Sequence, residues 1–126
     1  MRNLKVPSKV KLHKRSKLLE LCYGDTTYQL SCEYLRVFSP SAEVRGHGQG
    51  PSVLQFGKKD VAIISLTAVG NYAIQPTFDD GHDSGIYSWN YLFELAYNFD
   101  KNWQDYLTRL SDAGLARDIN MQILKL

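Results

Sequence analysis

The chain reads as an α+β protein, with antiparallel β-hairpins first and two amphipathic helices at the C-terminal end. Three observations predict this. Leu18 to Tyr23 and Thr26 to Ser31 are alternating segments joined by Gly24-Asp25, a two-residue hairpin signal. Asp60 to Val69 is rich in Val, Ile and Leu, and Tyr72 to Phe78 returns from it. After Ser88 the apolar residues change from alternation to helical spacing.

Residues 1–7 read as a tail ending at Pro7, residues 8–113 as one domain and residues 114–126 as a second tail. A first strand covers about Lys9 to His13, with lysines flanking Val10. In the hairpin, Gly24 at the first turn position favours type II′, which pairs Tyr23 with Thr26. That register places Leu19, Leu21, Tyr23, Tyr28, Leu30 and Cys32 on one face, with Cys32 opposite Lys17. Tyr34 to Phe38 leads on toward Ser39. Gly46, Gly48, Gly50 and Pro51 mark a loop, which lacks the Lys-Ser/Thr and the helix of the phosphate-binding motifs. Val53 to Phe56 reads as a short strand ended by Gly57.

Gly70-Asn71 is expected to make a second two-residue turn, leaving Tyr72, Ile74, Pro76 and Phe78 on one face. Pro76 donates no ladder hydrogen bond and calls for an unpaired side or a bulge. Gly85 to Tyr87 is a short strand, and Ser88 is a helix N-cap. Trp89, Leu92, Phe93 and Ala96 then share one helical face, and Trp103, Tyr106, Leu107 and Leu110 share another, with Gly114 as the stop. The tail beyond it carries Ile119, Met121, Ile123 and Leu124, apolar enough to dock in cis or against a second copy in a homodimer.

Hydrophobic content of 44% and charged content of 22% are ordinary for a globular domain. No apolar run is long enough to span a membrane, and the N-terminus lacks the pattern of a secretory signal, so a cytoplasmic location is expected. Residues 1–17 hold seven Lys/Arg and no acid, whereas the rest of the chain holds eight basic and thirteen acidic residues. A basic arm on an acidic body suits nucleic acid in principle. No aromatic platform is interleaved with it, and a solvated strand and turn is the simpler account. Cys22 and Cys32 fall on opposite faces of the hairpin, which excludes a disulfide between them.

Two motifs remain. Leu35-Arg36 is followed by Ser39-Pro40-Ser41 and then Val44. Asp79-Asp80-Gly81-His82-Asp83-Ser84-Gly85-Ile86-Tyr87-Ser88-Trp89 follows later. Together they resemble the domain at the N-terminus of gamma-butyrobetaine hydroxylase, also found as stand-alone proteins of the DUF971 type. The resemblance covers about Pro7 to Leu110. In the family's zinc-binding members it implies three cysteines and a histidine as ligands. Those positions are Ser39, Ser41, Val44 and His82 here, so one ligand of four remains. Hydroxyls are poor zinc ligands and valine is none. The expected outcome is no cofactor and a hydrogen-bonded turn over residues 39–41.

A substitute metal set would combine His82 with Glu43 and His47. The Asp79, Asp80 and Asp83 turn fails the calcium-loop pattern, and turn chemistry accounts for it, with His82 bonding to nearby backbone. No serine sits in a Gly-x-Ser-x-Gly elbow and no nucleophile is paired with a base, so no catalytic residue is assigned and the chain does not read as an enzyme. In the resembling proteins the domain accompanies an iron- and 2-oxoglutarate-dependent catalytic domain, or a P-loop ATPase carrying iron–sulfur clusters. The resemblance therefore implies an accessory module docking on a protein partner of the metalloprotein class. Tyr87, Trp89 and the apolar tail are the expected contacts.

Overall fold

The computed structural model describes residues 5–45 and 52–121. The first sheet is β1 (Lys9–His13), β2 (Leu18–Tyr23) and β3 (Thr26–Ser31), antiparallel in that order. Tyr23 pairs with Thr26 across the Gly24-Asp25 turn, as its residue types require. Leu19, Leu21 and Leu30 are buried, and Tyr23 and Tyr28 pack against them. The alternation therefore reports which face is the core.

The chain then turns into two helices that the sequence pattern does not reveal. Helix α1 (Cys32–Val37) is capped by Ser31, whose hydroxyl accepts from the Tyr34 N–H at 3.0 Å. All six of its residues are buried, so no polar face exists to set a helical period. Cys32 keeps its place opposite Lys17, donating its N–H to the Lys17 carbonyl, but it opens a helix rather than extending β3. Both cysteines are free thiols. Helix α2 (Ala42–Arg45) follows the Ser39-Pro40-Ser41 corner.

The second sheet is β4 (Ile63–Val69), β5 (Ala73–Phe78) and β6 (Tyr87–Ser88), also antiparallel. Three expectations are corrected here. Val53 to Phe56 is not a strand, and β4 starts at Ile63 because Lys59 and Asp60 turn. The β4–β5 connection is a three-residue loop, Gly70 to Tyr72, which pairs Val69 with Ala73. Tyr72 thus leaves the buried face of Ile74, Pro76 and Phe78 and stands 56% exposed. Pro76 lies beyond the β6 pairing, which covers only Ala73 and Ile74, so no third strand needs its missing N–H.

Ser88 caps α3 (Trp89–Tyr97) through the Tyr91 N–H, and Gly114 ends α4 (Phe99–Ala113) in a left-handed cap. Leucines of the first sheet, Ile63, Ile74 and Phe78 of the second, Tyr34 and Leu35 of α1, and Leu92 and Leu95 of α3 form one core. The described part of the segment after Gly114 is stitched to the domain. Ala116 and Arg117 carbonyls accept from the Gly57 and Lys59 N–H groups. Arg117 forks onto the buried Glu33 at 2.8 and 2.6 Å and lies over the Trp103 ring.

A short helix leaves its last carbonyls unpaired. Tyrosines answer this need around α1. Tyr87 donates its hydroxyl to the Leu35 carbonyl and Tyr91 to the Phe38 carbonyl. Tyr34 reaches the other way, to the Leu95 carbonyl at 2.6 Å, and burial pushes its hydroxyl pKa up to about 12. Tyr87→Phe strands the Leu35 carbonyl, and urea unfolding is expected to show a loss of about 1–3 kcal/mol. Tyr97→Phe, at a ring 71% exposed, is the control and stays within about 0.5 kcal/mol.

Candidate functional site

The two sequence motifs meet in space at one corner. Arg36, the second residue of Leu35-Arg36, is only 7% exposed and carries a charge that needs a partner. Its Nε lies 2.8 Å from the Asp80 carboxylate, and its Nη1 donates to Gln55 Oε1. Lys58 Nζ reaches the same Asp80 oxygen at 2.6 Å, and the other oxygen accepts from the His82 N–H. Burial alone would raise the Asp80 pKa, but Lys58, the His82 N–H and Arg36 outweigh it and hold it at about 2. Sequence reasoning missed this pair because 44 positions separate Arg36 from Asp80, and Lys58 and Gln55 belong to neither motif.

The turn itself is built by its own residue types. Gly81 adopts φ 92°, and the Phe78 N–H donates to the His82 carbonyl across it. Asp79 accepts from the Ala62 N–H, fixing the turn to the start of β4. Asp80 already faces two cations and is not free for a third.

His82 is 6% exposed, and its ring points at the Ser39-Pro40-Ser41 corner. Nε2 is 2.8 Å from Ser39 Oγ and 3.4 Å from Ser41 Oγ. The imidazole thus bonds to serine hydroxyls, not to the backbone of its own turn as expected. Nδ1 is 3.6 Å from Glu43 Oε2, and the other Glu43 oxygen accepts from Ser84 Oγ. The donor and acceptor roles in the Ser39–His82 bond follow the ring tautomer. The Ser41 N–H in turn donates to Ser39 Oγ at 3.3 Å. Burial first, then Arg36, hold the His82 pKa below the usual 6.5 against the pull of Glu43 and Asp80.

Gly85 lets the two segments close. A Cβ there would stand 2.4 Å from Ser39 Oγ and 3.1 Å from the Tyr87 ring. Any side chain at this position pushes the Ser39 corner off His82.

Ser39, Ser41 and Val44 are all buried, at 1%, 6% and 3% exposure. Ser39 and Ser41 converge on His82 as a ligand set would, but two neutral hydroxyls and an alkyl group supply no thiolate. The residues present do not fit zinc. The substitute set is half formed: Glu43 approaches His82, while His47 lies outside the described residues. Among the described residues no group of three His, Cys, Asp or Glu side chains is placed to hold a metal ion. Ser39, His82 and Glu43 do follow the hydroxyl–imidazole–carboxylate order of a nucleophile triad. However, the hydroxyl is 1% exposed and the carboxylate stands beyond hydrogen-bond distance of the ring.

Of the expected contact residues, Tyr87 is corrected: it is fully buried, with its hydroxyl committed to Leu35. Trp89 is half-buried and donates its indole N–H to the Asn71 carbonyl at 2.9 Å. Beside it stands Tyr72, which the sequence pattern placed inside. In the basic segment, Lys9 and Lys11 lie exposed on β1, whereas Lys17 donates to the Asp60 carbonyl.

The family model described as gamma-butyrobetaine hydroxylase-like, N-terminal, matches residues 10–93. The chain belongs to this family. The match contains both motifs and ends inside α3. A protein with an NMR solution structure is 52% identical with a TM-score of 0.82, over 92% of each chain. A second NMR structure is 47% identical with a TM-score of 0.76, over 91% of this chain and 86% of that one. A crystal structure of a protein of unknown function in the DUF971 family, from Acidithiobacillus ferrooxidans, is 31% identical with a TM-score of 0.57, over 73% of this chain and 93% of that one. No curated protein matches the chain.

Two outcomes test the corner. The folded state binds the His82 proton less readily than the unfolded chain, whose pKa is near 6.5, so this contribution is fully present above that pH and is lost as pH falls below it. Urea unfolding from pH 8 to pH 5 is expected to show this decline, and His82→Gln to flatten it. Added zinc is expected to leave the melting temperature of the chain unchanged, whereas the combined Ser39→Cys, Ser41→Cys and Val44→Cys variant gains a stoichiometric zinc in native mass spectrometry.

Proposed function

We propose that this chain is a non-catalytic accessory domain that docks on a protein partner of the iron or iron–sulfur class. The observation that carries the docking surface is the pairing of Tyr72 with Trp89. The Trp89 N–H donates to the Tyr72 carbonyl at 3.1 Å, which holds the β4–β5 loop against the start of α3. Tyr72 is 56% exposed and Val6 is 50% exposed, and with Trp89 they line a groove of about 320 Å³. Aromatic side chains on a rigid support are the residues that carry binding energy at interfaces. The metalloprotein class rests on the family's link to an iron-dependent hydroxylase, an analogy of fold rather than of chemistry.

A second reading, metal binding through His82, is favoured by the Glu43 approach alone. No helix among the described residues is long and apolar enough to cross a membrane.

The docking reading is tested by placing a photo-crosslinking residue at Tyr72, with the same residue at exposed Gln29 as a control. A metalloprotein captured only from position 72, and lost in Trp89→Ala, is the expected result. Equal capture at both positions, or capture of no metal-bearing protein, overturns it.

A further inference from the structure

A cleft of about 200 Å³ opens on the other side of the Ser39 corner, between α1, α2, α3 and α4. Its apolar lining includes Val44 and Leu54, and its polar rim carries Arg45 of α2 and Arg109 of α4. Among the described residues no carboxylate lines it. Arg109 is positioned by two bonds to Ser52, Nη1 to Oγ at 3.2 Å and Nη2 to the carbonyl at 3.0 Å. The Arg45 side chain has neither ion pair nor hydrogen bond among the described residues, and its guanidinium lies 5.6 Å above the Tyr91 ring. The Tyr91 and Tyr106 hydroxyls in the wall are already spent on the Phe38 and Gln55 carbonyls. Beside the neutral Ser52 and Gln55 side chains, the charged contacts on offer to a guest are therefore the guanidinium N–H groups, all of them donors and both groups cationic.

We propose that this cleft binds a small organic carboxylate, with its apolar body against Val44 and Leu54 and its carboxylate on Arg45 and Arg109. The size sets the body: a cavity of about 150 Å³ holds benzene, so a ring or a chain of about six carbons fits here. The charge sets the head group, because a planar guanidinium pairs with carboxylate through two parallel bonds. Arg45 held over an aromatic ring without an anionic partner is a cation prepared for one. An inorganic anion would use the arginines and leave the apolar wall wet, and a neutral ligand would leave both charges unanswered.

The probes are benzoate and hexanoate, titrated at constant ionic strength into the labelled full chain and followed by amide chemical shifts. Benzamide and hexanamide serve as neutral matches of the same shape, and inorganic phosphate as the bare anion. The expected result is a saturable shift of the Arg45, Leu54, Tyr91 and Arg109 amides, at about millimolar affinity or tighter. The matching amide and phosphate are expected to bind about tenfold more weakly or worse. Arg45→Gln, at an exposed side chain whose loss leaves the core intact, is expected to weaken benzoate by about tenfold or more. No saturable shift overturns the proposal. So does equal binding of benzamide, which shows an apolar cleft only, and equal binding of phosphate, which shows bare charge only. Unchanged affinity in Arg45→Gln overturns it as well.

Discussion

Arg36 imposes the constraint from which the candidate site follows. A guanidinium on a buried six-residue helix does not lose its proton, so an anion must come to it. Asp80 is that anion, and its position on the β5–β6 turn fixes where the turn sits relative to α1. Once Asp80 is fixed, its second oxygen holds the His82 N–H, and the imidazole is aimed at Ser39 and Ser41. Lys58 shares the carboxylate and draws in the segment leading to β4. Removing Asp80 would leave the Arg36 charge buried with only the neutral Gln55 side chain as a partner, which is worse than never having had the pair.

Around this corner the fold is held by many moderate bonds instead of one strong crosslink. Tyr87, Tyr91 and Tyr106 each close a backbone carbonyl of α1 or of the segments beside it. Glu33 and Arg117 add a two-pronged side-chain ion pair where the chain returns after α4. A structural zinc would concentrate comparable folding energy in four ligands. Here Ser39, Ser41 and Val44 supply no thiolate, and the buried Val44 with two hydroxyl–imidazole contacts holds the corner instead.

How much of this was legible depended on contrast between faces. The β2–β3 register was readable because one face is polar and the other apolar, so a slip by one residue would invert them. Helices α3 and α4 were readable for the same reason at the helical period. Helix α1 was not, because burial on all sides erases the period, and Ser31 is at once the last residue of β3 and the cap of the helix. The turn after β4 was misjudged by one residue, which moved Tyr72 from the core to the surface. At the site, the meeting of residues 39–44 with His82 was carried by the motif resemblance and not by composition. Tyr87 was misplaced because an aromatic residue inside a motif does not disclose whether its ring faces solvent or a helix end.

Serine at positions 39 and 41 also changes what can damage this corner. Thiolate ligands climb an oxidation ladder through sulfenic acid to irreversible products and release their metal on the way. A hydroxyl hydrogen-bonded to an imidazole has no such step to take. The chain's two thiols, Cys22 and Cys32, stand on β2 and at the start of α1 and make no hydrogen bond to His82. The joint between the two motifs is therefore built from hydroxyl and imidazole groups, which have no thiol to oxidise.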